Sequence, residues 1–209
     1  ELNNICVIPN PIITQTERFS TCSAHQVIAA GRYVPQKGFD LLIEAWSIIS
    51  KKYPTWTLRI YGDGVLRDSF QQRIDELAMT DSCILEHTVS NIVDKYCESS
   101  IFVLSSRFEG FGMVITEAMA CGVPPVSFDC PCGPKDIIDD GKDGLLVENE
   151  NIEKLAEKIA YLIENENIRM DMGRQARINA QRFQMENIVK QWKRLFEELS
   201  ANSQQSQKS

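Results

Sequence analysis

The chain has 209 residues, 43% hydrophobic and 24% charged, which suits one substantial core in a water-soluble globular protein. Its formal net charge of −7 excludes a broad attraction to nucleic acid or anionic lipid, so a phosphate-bearing ligand would need a local group of cations. There is no charged-then-apolar leader and no apolar run near the ~20 residues of a membrane span, and the seven cysteines, odd in number and without finger-like spacing, read as reduced thiols of a cytoplasmic protein.

Residues 1–22 hold the apolar run Ile5-Cys6-Val7-Ile8 and then Pro9-Asn10-Pro11, a density of proline that excludes a helix and predicts an extended linker. Residues 26–31 are a short apolar run of the kind buried on both faces of a parallel sheet. After it come Arg32-Tyr33-Val34-Pro35-Gln36-Lys37-Gly38, and then Phe39, Leu42, Ile43, Trp46 and Ile49 at helical spacing, which completes a first β-loop-α unit. Residues 56–61 alternate as a second strand and end at Gly62-Asp63-Gly64. The third glycine of a dinucleotide fingerprint is missing there, Arg67 standing in its place, so this turn reads as structural. A helix is predicted over residues 65–79, with Leu66, Phe70, Ile74 and Leu77 inward, and a third strand over 83–86. Residues 87–90 form the loop at that strand's carboxyl end, the edge where open parallel sheets bind ligands. His87 within it reads as a surface residue. A short helix is predicted over 91–99, with Ile92, Val93, Tyr96 and Cys97 on its apolar side.

The apolar run Ile101-Phe102-Val103-Leu104 leads into Ser105-Ser106-Arg107-Phe108-Glu109-Gly110-Phe111-Gly112 and then a helical pattern, Met113 to Ala120, closed by Cys121-Gly122. A strand, tight loop and helix start in that order present free backbone N–H groups to an anion. Glu109 in the loop and Glu117 about two turns into the helix repel phosphate but accept hydrogen bonds from hydroxyls placed around it. Residues 124–129 read as a fifth strand and Cys130-Pro131-Cys132-Gly133-Pro134 as a turn into a short helix, where the cysteines are ordinary loop residues and Lys135 faces an anion or the solvent. Residues 139–144 are turn chemistry and 145–147 the last strand. Three amphipathic helices follow: the first capped by Asn149 or Asn151, the last marked by Ile188, Trp192, Leu195, Phe196 and Leu199. All three stripes are expected to face the core, and the Ser/Gln-rich residues 201–209 to be disordered.

Two glutamates with seven residues between them, set in S-R-F-E-G-F-G-M-V-x-x-E-A-M-A-C-G-V-P, resemble the signature of retaining glycosyltransferases of family 4, which have the GT-B fold. The likeness runs from about Val27 to Leu199 and covers the C-terminal, donor-binding domain of such an enzyme. It implies an α/β, doubly wound, mostly parallel Rossmann-like sheet over residues 23–200, with residues 1–22 leaving a missing N-terminal domain. It further implies that Arg32 and Lys37, in G-R-x-x-x-x-K-G, contact the donor's diphosphate, and that Glu109 holds hydroxyls of the transferred sugar. Glu117 would take the ribose, Val89 would pack against the base, and Gly110, Phe111, Gly112, Met113 and Val114 would line sugar and phosphate. Glu109, Arg32 and Lys37 are the residues expected to serve the chemistry.

The function expected from the resemblance is transfer of a hexose or hexosamine from a nucleoside-diphosphate sugar to a glycan or lipid-linked acceptor. The fragment alone would be inactive, the acceptor belonging to the missing half. A uridine diphosphate donor is suggested by Phe128-Asp129-Cys130-Pro131-Cys132-Gly133-Pro134, as in similar bacterial sequences. No cofactor or divalent metal is expected, two cations and a helix start serving instead. The protein would be cytoplasmic, with membrane contact open only to the missing half. One rival reading stays open, a non-catalytic nucleotide-sugar-binding module that works with a partner; by carboxylate pairing alone Glu109 and Glu117 could also be the acid and nucleophile of a glycosidase. A glycosidase, however, has no use for a phosphate-binding helix and basic loop beside its carboxylates.

Overall fold

The computed structural model describes residues 5–13 and 16–206. Six short apolar strands are hydrogen-bonded side by side, all parallel: β1 (Gln26–Ala30), β2 (Thr57–Tyr61), β3 (Cys83–Glu86), β4 (Ile101–Leu104), β5 (Pro125–Phe128) and β6 (Leu145–Val147). Their order across the sheet is β3-β2-β1-β4-β5-β6, so the winding reverses between β1 and β4. The period-2 pattern divides the side chains between two cores. Val27, Ala29, Leu58, Ile60, Val103 and Phe128 pack under α1 (Phe39–Lys52), α2 (Arg67–Glu76) and α6 (Ile152–Glu164). Ile28, Ala30, Phe102 and Leu104 pack on the other side under α3 (Ile92–Cys97), α4 (Met113–Ala120), α5 (Pro134–Ile137) and α7 (Glu166–Ala180). Covering both faces is what lets such strands be apolar throughout. The Rossmann-like α/β sheet expected from the sequence is the one observed.

Differences from the expected elements sit mainly at ends. The helix expected over 65–79 is the ten-residue α2, with Ala78 at φ 53° just past its C-cap Leu77. Asn151, not Asn149, caps α6, its side chain accepting from the Lys154 N–H at 3.0 Å. One expectation for the C-terminus is corrected. The last helix, α8 (Met185–Ser206), extends into the segment where a disordered tail was expected. Residues 207–209 of that expected tail lie outside the described residues, as do 1–4 and 14–15 of the expected linker. The apolar stripe of α8 is also not core-facing beyond Ile188: Trp192 and Phe196 are 44% and 59% exposed and stack on each other at 5.8 Å. The start of α8 lies against the body of the domain at the 3-10 turn Gln181–Phe183. Among the described residues no helix is long and apolar enough to cross a membrane, and all seven cysteines are free.

One buried cation ties the entering segment to the body. Arg169 on α7 is 2% exposed and donates to the Cys22, Leu162 and Ile163 carbonyls at 2.8, 2.5 and 3.1 Å, with its guanidinium over the Trp56 ring. Three charge-assisted bonds at buried carbonyls are costly to remove. Arg169→Leu is expected to destabilise the chain by about 2–4 kcal/mol, seen as a lower urea midpoint with an unchanged slope.

Candidate functional site

The loops that follow β1 and β4 meet where the winding reverses. Gly38 sits at φ 60°, and a Cβ there would lie 2.0 Å from the Ser105 carbonyl oxygen, so the turn at residues 35–38 touches the post-β4 loop backbone to backbone. Hydrogen bonds lock the contact. The Ser105 hydroxyl donates to the Lys37 carbonyl (3.0 Å), the Arg107 N–H to the Gln36 carbonyl (2.8 Å), and the Gln36 amide to the Phe108 carbonyl (3.0 Å). Arg107 also reaches back to both carboxylate oxygens of Asp40, at 3.0 and 2.7 Å. Burial pushes the Asp40 carboxyl up, and the guanidinium beside it more than offsets this, leaving it below its ordinary value. On the other side Gly133, at φ 108°, lets the 130–133 loop lean on the Phe111 carbonyl, 2.0 Å from where a Cβ would sit. The Glu109 N–H donates to the Pro131 carbonyl.

This framework holds two groups of chemistry-bearing side chains. In the first, the Lys37 ammonium and the Glu109 carboxylate pair at 2.7 Å with side chains only 15% and 7% exposed, and the Ser106 hydroxyl donates to the same carboxylate oxygen at 2.7 Å. The second lines a cavity of about 500 Å³ at the carboxyl ends of β1, β2 and β3, walled by Arg32, Asp63, Val89, Tyr96, Val114 and Glu117 among others. Gly31 joins the two. It lines the cavity, while a Cβ on it would stand 3.4 Å from Cγ and Cδ of Lys37, so the stem of Lys37 packs beside the cavity wall.

The electrostatics of the cavity follow from its walls. Glu117 is half-buried, and burial pushes its carboxyl up; Tyr96 acts on it in the opposite sense from within the wall, without meeting hydrogen-bond geometry. Arg32 is exposed, and its guanidinium has no hydrogen bond or ion pair among the described residues, its backbone carbonyl alone accepting from the Val34 N–H. The N–H groups of residues 110–114, at the loop and first turn of α4, find no acceptor there either. Asp63, by contrast, is committed. The Thr88 hydroxyl and N–H, with the His87 ring, hold its carboxyl down to about 2 and fix the 87–90 loop that carries Val89. A free guanidinium, an array of free N–H groups and a carboxylate that costs energy to bury suit an anionic ligand bearing a diol.

The residues named from the sequence thus fall into place unequally. Arg32, Val89, Val114 and Glu117 share the cavity. Lys37 and Glu109 hold each other and are not among the residues that line it, and Gly112 is the left-handed N-cap of α4, at φ 93°. Phe111 is turned to the core, its ring 5.6 Å from that of Phe183, so only its backbone faces the site. His87 is 74% exposed and engaged by Asp63. Lys135 is exposed on the four-residue α5, among residues remote from the cavity. The Gly62-Asp63-Gly64 turn is structural, as read: a Cβ on Gly62 would stand 1.9 Å from the Gly31 carbonyl oxygen. Sequence reasoning missed Ser106 and Arg107 as supports, though both lie inside the motif, and placed Tyr96 only on an apolar face.

The fold and this edge define a class: a doubly wound, Rossmann-like α/β domain with its candidate site at the carboxyl edge of the sheet. The sequence pattern of Glycosyl transferases group 1 matches residues 22–179, and the chain belongs to that family. It is 31% identical over 192 residues to an uncharacterized glycosyltransferase of Haemophilus influenzae, covering 91% of this chain and 54% of that one. A mutant of Staphylococcus aureus TarM, solved in complex with Fondaparinux, alpha-GlcNAc-glycerol and UDP, superposes with a TM-score of 0.84 at 32% identity, over 93% of this chain and 40% of that one. The pneumococcal O-GlcNAc transferase GtfA, in complex with UDP and GlcNAc, gives 0.78 at 26%, over 91% and 38%. The chain therefore spans about half the length of these proteins or less.

Two outcomes are expected of the site. Lys37→Met strands a largely buried carboxylate and should cost about 1–3 kcal/mol, whereas Lys37→Met with Glu109→Gln together should cost less, as a double-mutant cycle in urea would show. For Glu117 the carboxyl is raised in the folded state, so the folded chain is favoured at acid pH and loses stability as pH rises through that raised value. Glu117→Gln should accordingly match the wild type in acid and exceed its urea midpoint at neutral pH.

Proposed function

We propose that this chain is the donor-binding half of a retaining glycosyltransferase that moves a hexose or N-acetylhexosamine from a UDP-sugar to a glycan or lipid-linked acceptor. The observation that carries the reading is the gathering of Arg32, Glu117 and Val89 on one cavity beside the free N–H groups of the α4 start. A nucleoside diphosphate laid across this edge puts its base on Val89, its ribose hydroxyls on Glu117 and its phosphates between Arg32 and the helix start. Lys37 gives one of its three donors to Glu109, which leaves two for phosphate, and Glu109 keeps accepting capacity for hydroxyls of the sugar. The relatives solved with UDP favour a uridine nucleotide.

The chemistry asked of these groups is modest in kind. As the glycosidic bond breaks, negative charge grows on the departing diphosphate, and donors already fixed around it stabilise the transition state more than the ground state. Arg32, Lys37 and the helix start would do this without a divalent metal. Retention of configuration follows if the acceptor is delivered on the same face as the leaving phosphate, whose oxygen takes its proton. The acceptor and its binding surface would come from the rest of the enzyme, so this half binds donor without completing transfer.

Calorimetry with the isolated chain tests the reading. UDP is expected to bind in the micromolar to millimolar range, and absence of heat with every common nucleoside diphosphate would overturn it. Arg32→Ala should weaken UDP about tenfold while leaving uridine nearly unchanged, as the loss of one charge-assisted contact to phosphate requires. Equal losses for both would remove Arg32 from the diphosphate.

A further inference from the structure

The hydroxyl of Tyr96 has no use in the reading above. Tyr96 lies on α3, fully buried, its ring edge-on to Phe102 at 5.8 Å, and it forms part of the cavity wall beside Ile92, Val114 and Glu117. Its oxygen is out of contact with solvent and meets no hydrogen-bond partner among the described residues, a condition it shares there only with Asn149 Oδ1. A hydroxyl in an apolar wall without a partner is a standing cost, and phenylalanine would fill the same volume without it. The carboxylate that acts on it is Glu117, the group assigned above to the ribose.

We infer that Tyr96 is a positioning residue for Glu117: when a ribose engages the carboxylate, the Tyr96 hydroxyl closes a hydrogen bond to it from the protein side, fixing the carboxylate to accept both ribose hydroxyls. The inference rests on the proposed nucleotide reading and deepens it. A carboxylate can accept about four hydrogen bonds, so one from tyrosine and two from a diol are compatible. The tyrosine ring is locked by its packing, so little side-chain freedom is lost when the bond closes. The arrangement makes the site a reader of the 2′- and 3′-hydroxyls: a site built to pair a substrate hydroxyl discriminates against the analogue lacking it.

The consequence separates this role from a merely structural one, because removing the hydroxyl should help the chain by itself and harm it as a receptor. Tyr96→Phe is expected to raise the thermal midpoint of the chain without nucleotide and to weaken UDP about tenfold. It should weaken 2′-deoxy-UDP clearly less, so that the preference for the ribonucleotide shrinks. In a Glu117→Gln background the same change should alter UDP affinity less than about twofold, which reads the coupling directly. If the wild type binds neither nucleotide, the proposed function fails and this inference with it. If the wild type prefers UDP and Tyr96→Phe keeps that preference, or loses both nucleotides equally, the positioning role alone is overturned. A lowered midpoint with UDP affinity unchanged would overturn it as well, and would make the hydroxyl a stability group.

Discussion

The contact between the turn at residues 35–38 and the loop at residues 105–109 is the constraint on which the site depends. Parallel strands adjacent at the switch point send their loops in the same direction, but nothing in that topology makes the loops touch. Gly38 does, by leaving no side chain where the Ser105 carbonyl oxygen passes, and the bonds from Ser105, Gln36 and Arg107 then set the register of one loop on the other. Lys37 and Glu109, seventy-odd residues apart in sequence, become neighbours as a result. So does the start of α4 with respect to Arg32, through Gly31 and the Lys37 stem beneath it.

Around that fixed centre the molecule carries groups poorly satisfied by the protein itself. Glu117 is raised by burial, and among the described residues Tyr96 keeps a buried hydroxyl without a partner and the first N–H groups of α4 are left over. Elsewhere the same chain satisfies buried polar groups closely. Arg169 spends its donors on three carbonyls, and Tyr33, equally buried, gives its hydroxyl to the Ile60 and Glu86 carbonyls at 2.6 and 2.8 Å. Unmet polar capacity at Tyr96 and Glu117 on one cavity, with Val114 of the α4 start lining it too, is expected where a ligand, rather than the protein, completes the hydrogen bonding.

The ion pair between Lys37 and Glu109 changes how these two residues are understood. Separately they look like a phosphate cation and a sugar-binding carboxylate. Together they form a low-exposure unit whose geometry holds only while both charges remain. Ser106 occupies a further position on the carboxylate, so the pair is oriented from two sides. Whatever binds there meets a preset lysine with donors to spare rather than a flexible surface cation.

Much of this was legible in the chain of letters. Six apolar runs with helical spacing between them forced a parallel, two-sided sheet, because strands apolar on both faces must be covered on both. Glycines before and after a run of helical spacing placed the strand-to-helix junction after Ile101–Leu104, and the order of strand and helix placed Arg32 and Val89 on the same edge. Periodicity could not say whether the stripe on α8 has anything to cover it, since the pattern 188, 192, 196 is the same on a buried helix and on one that projects past the body. Nor could it separate Tyr96 from an ordinary core aromatic. The sequence by itself determined which residues belong to the carboxyl edge of the sheet, because local pattern sets element order and each element's ends. Only the tertiary structure decided that Lys37 is spent on Glu109, that Glu117 shares a cavity with Arg32, and that the Tyr96 hydroxyl stands unmet beside it, because pairing across tens of residues depends on the close approach of two loops and not on anything local to either.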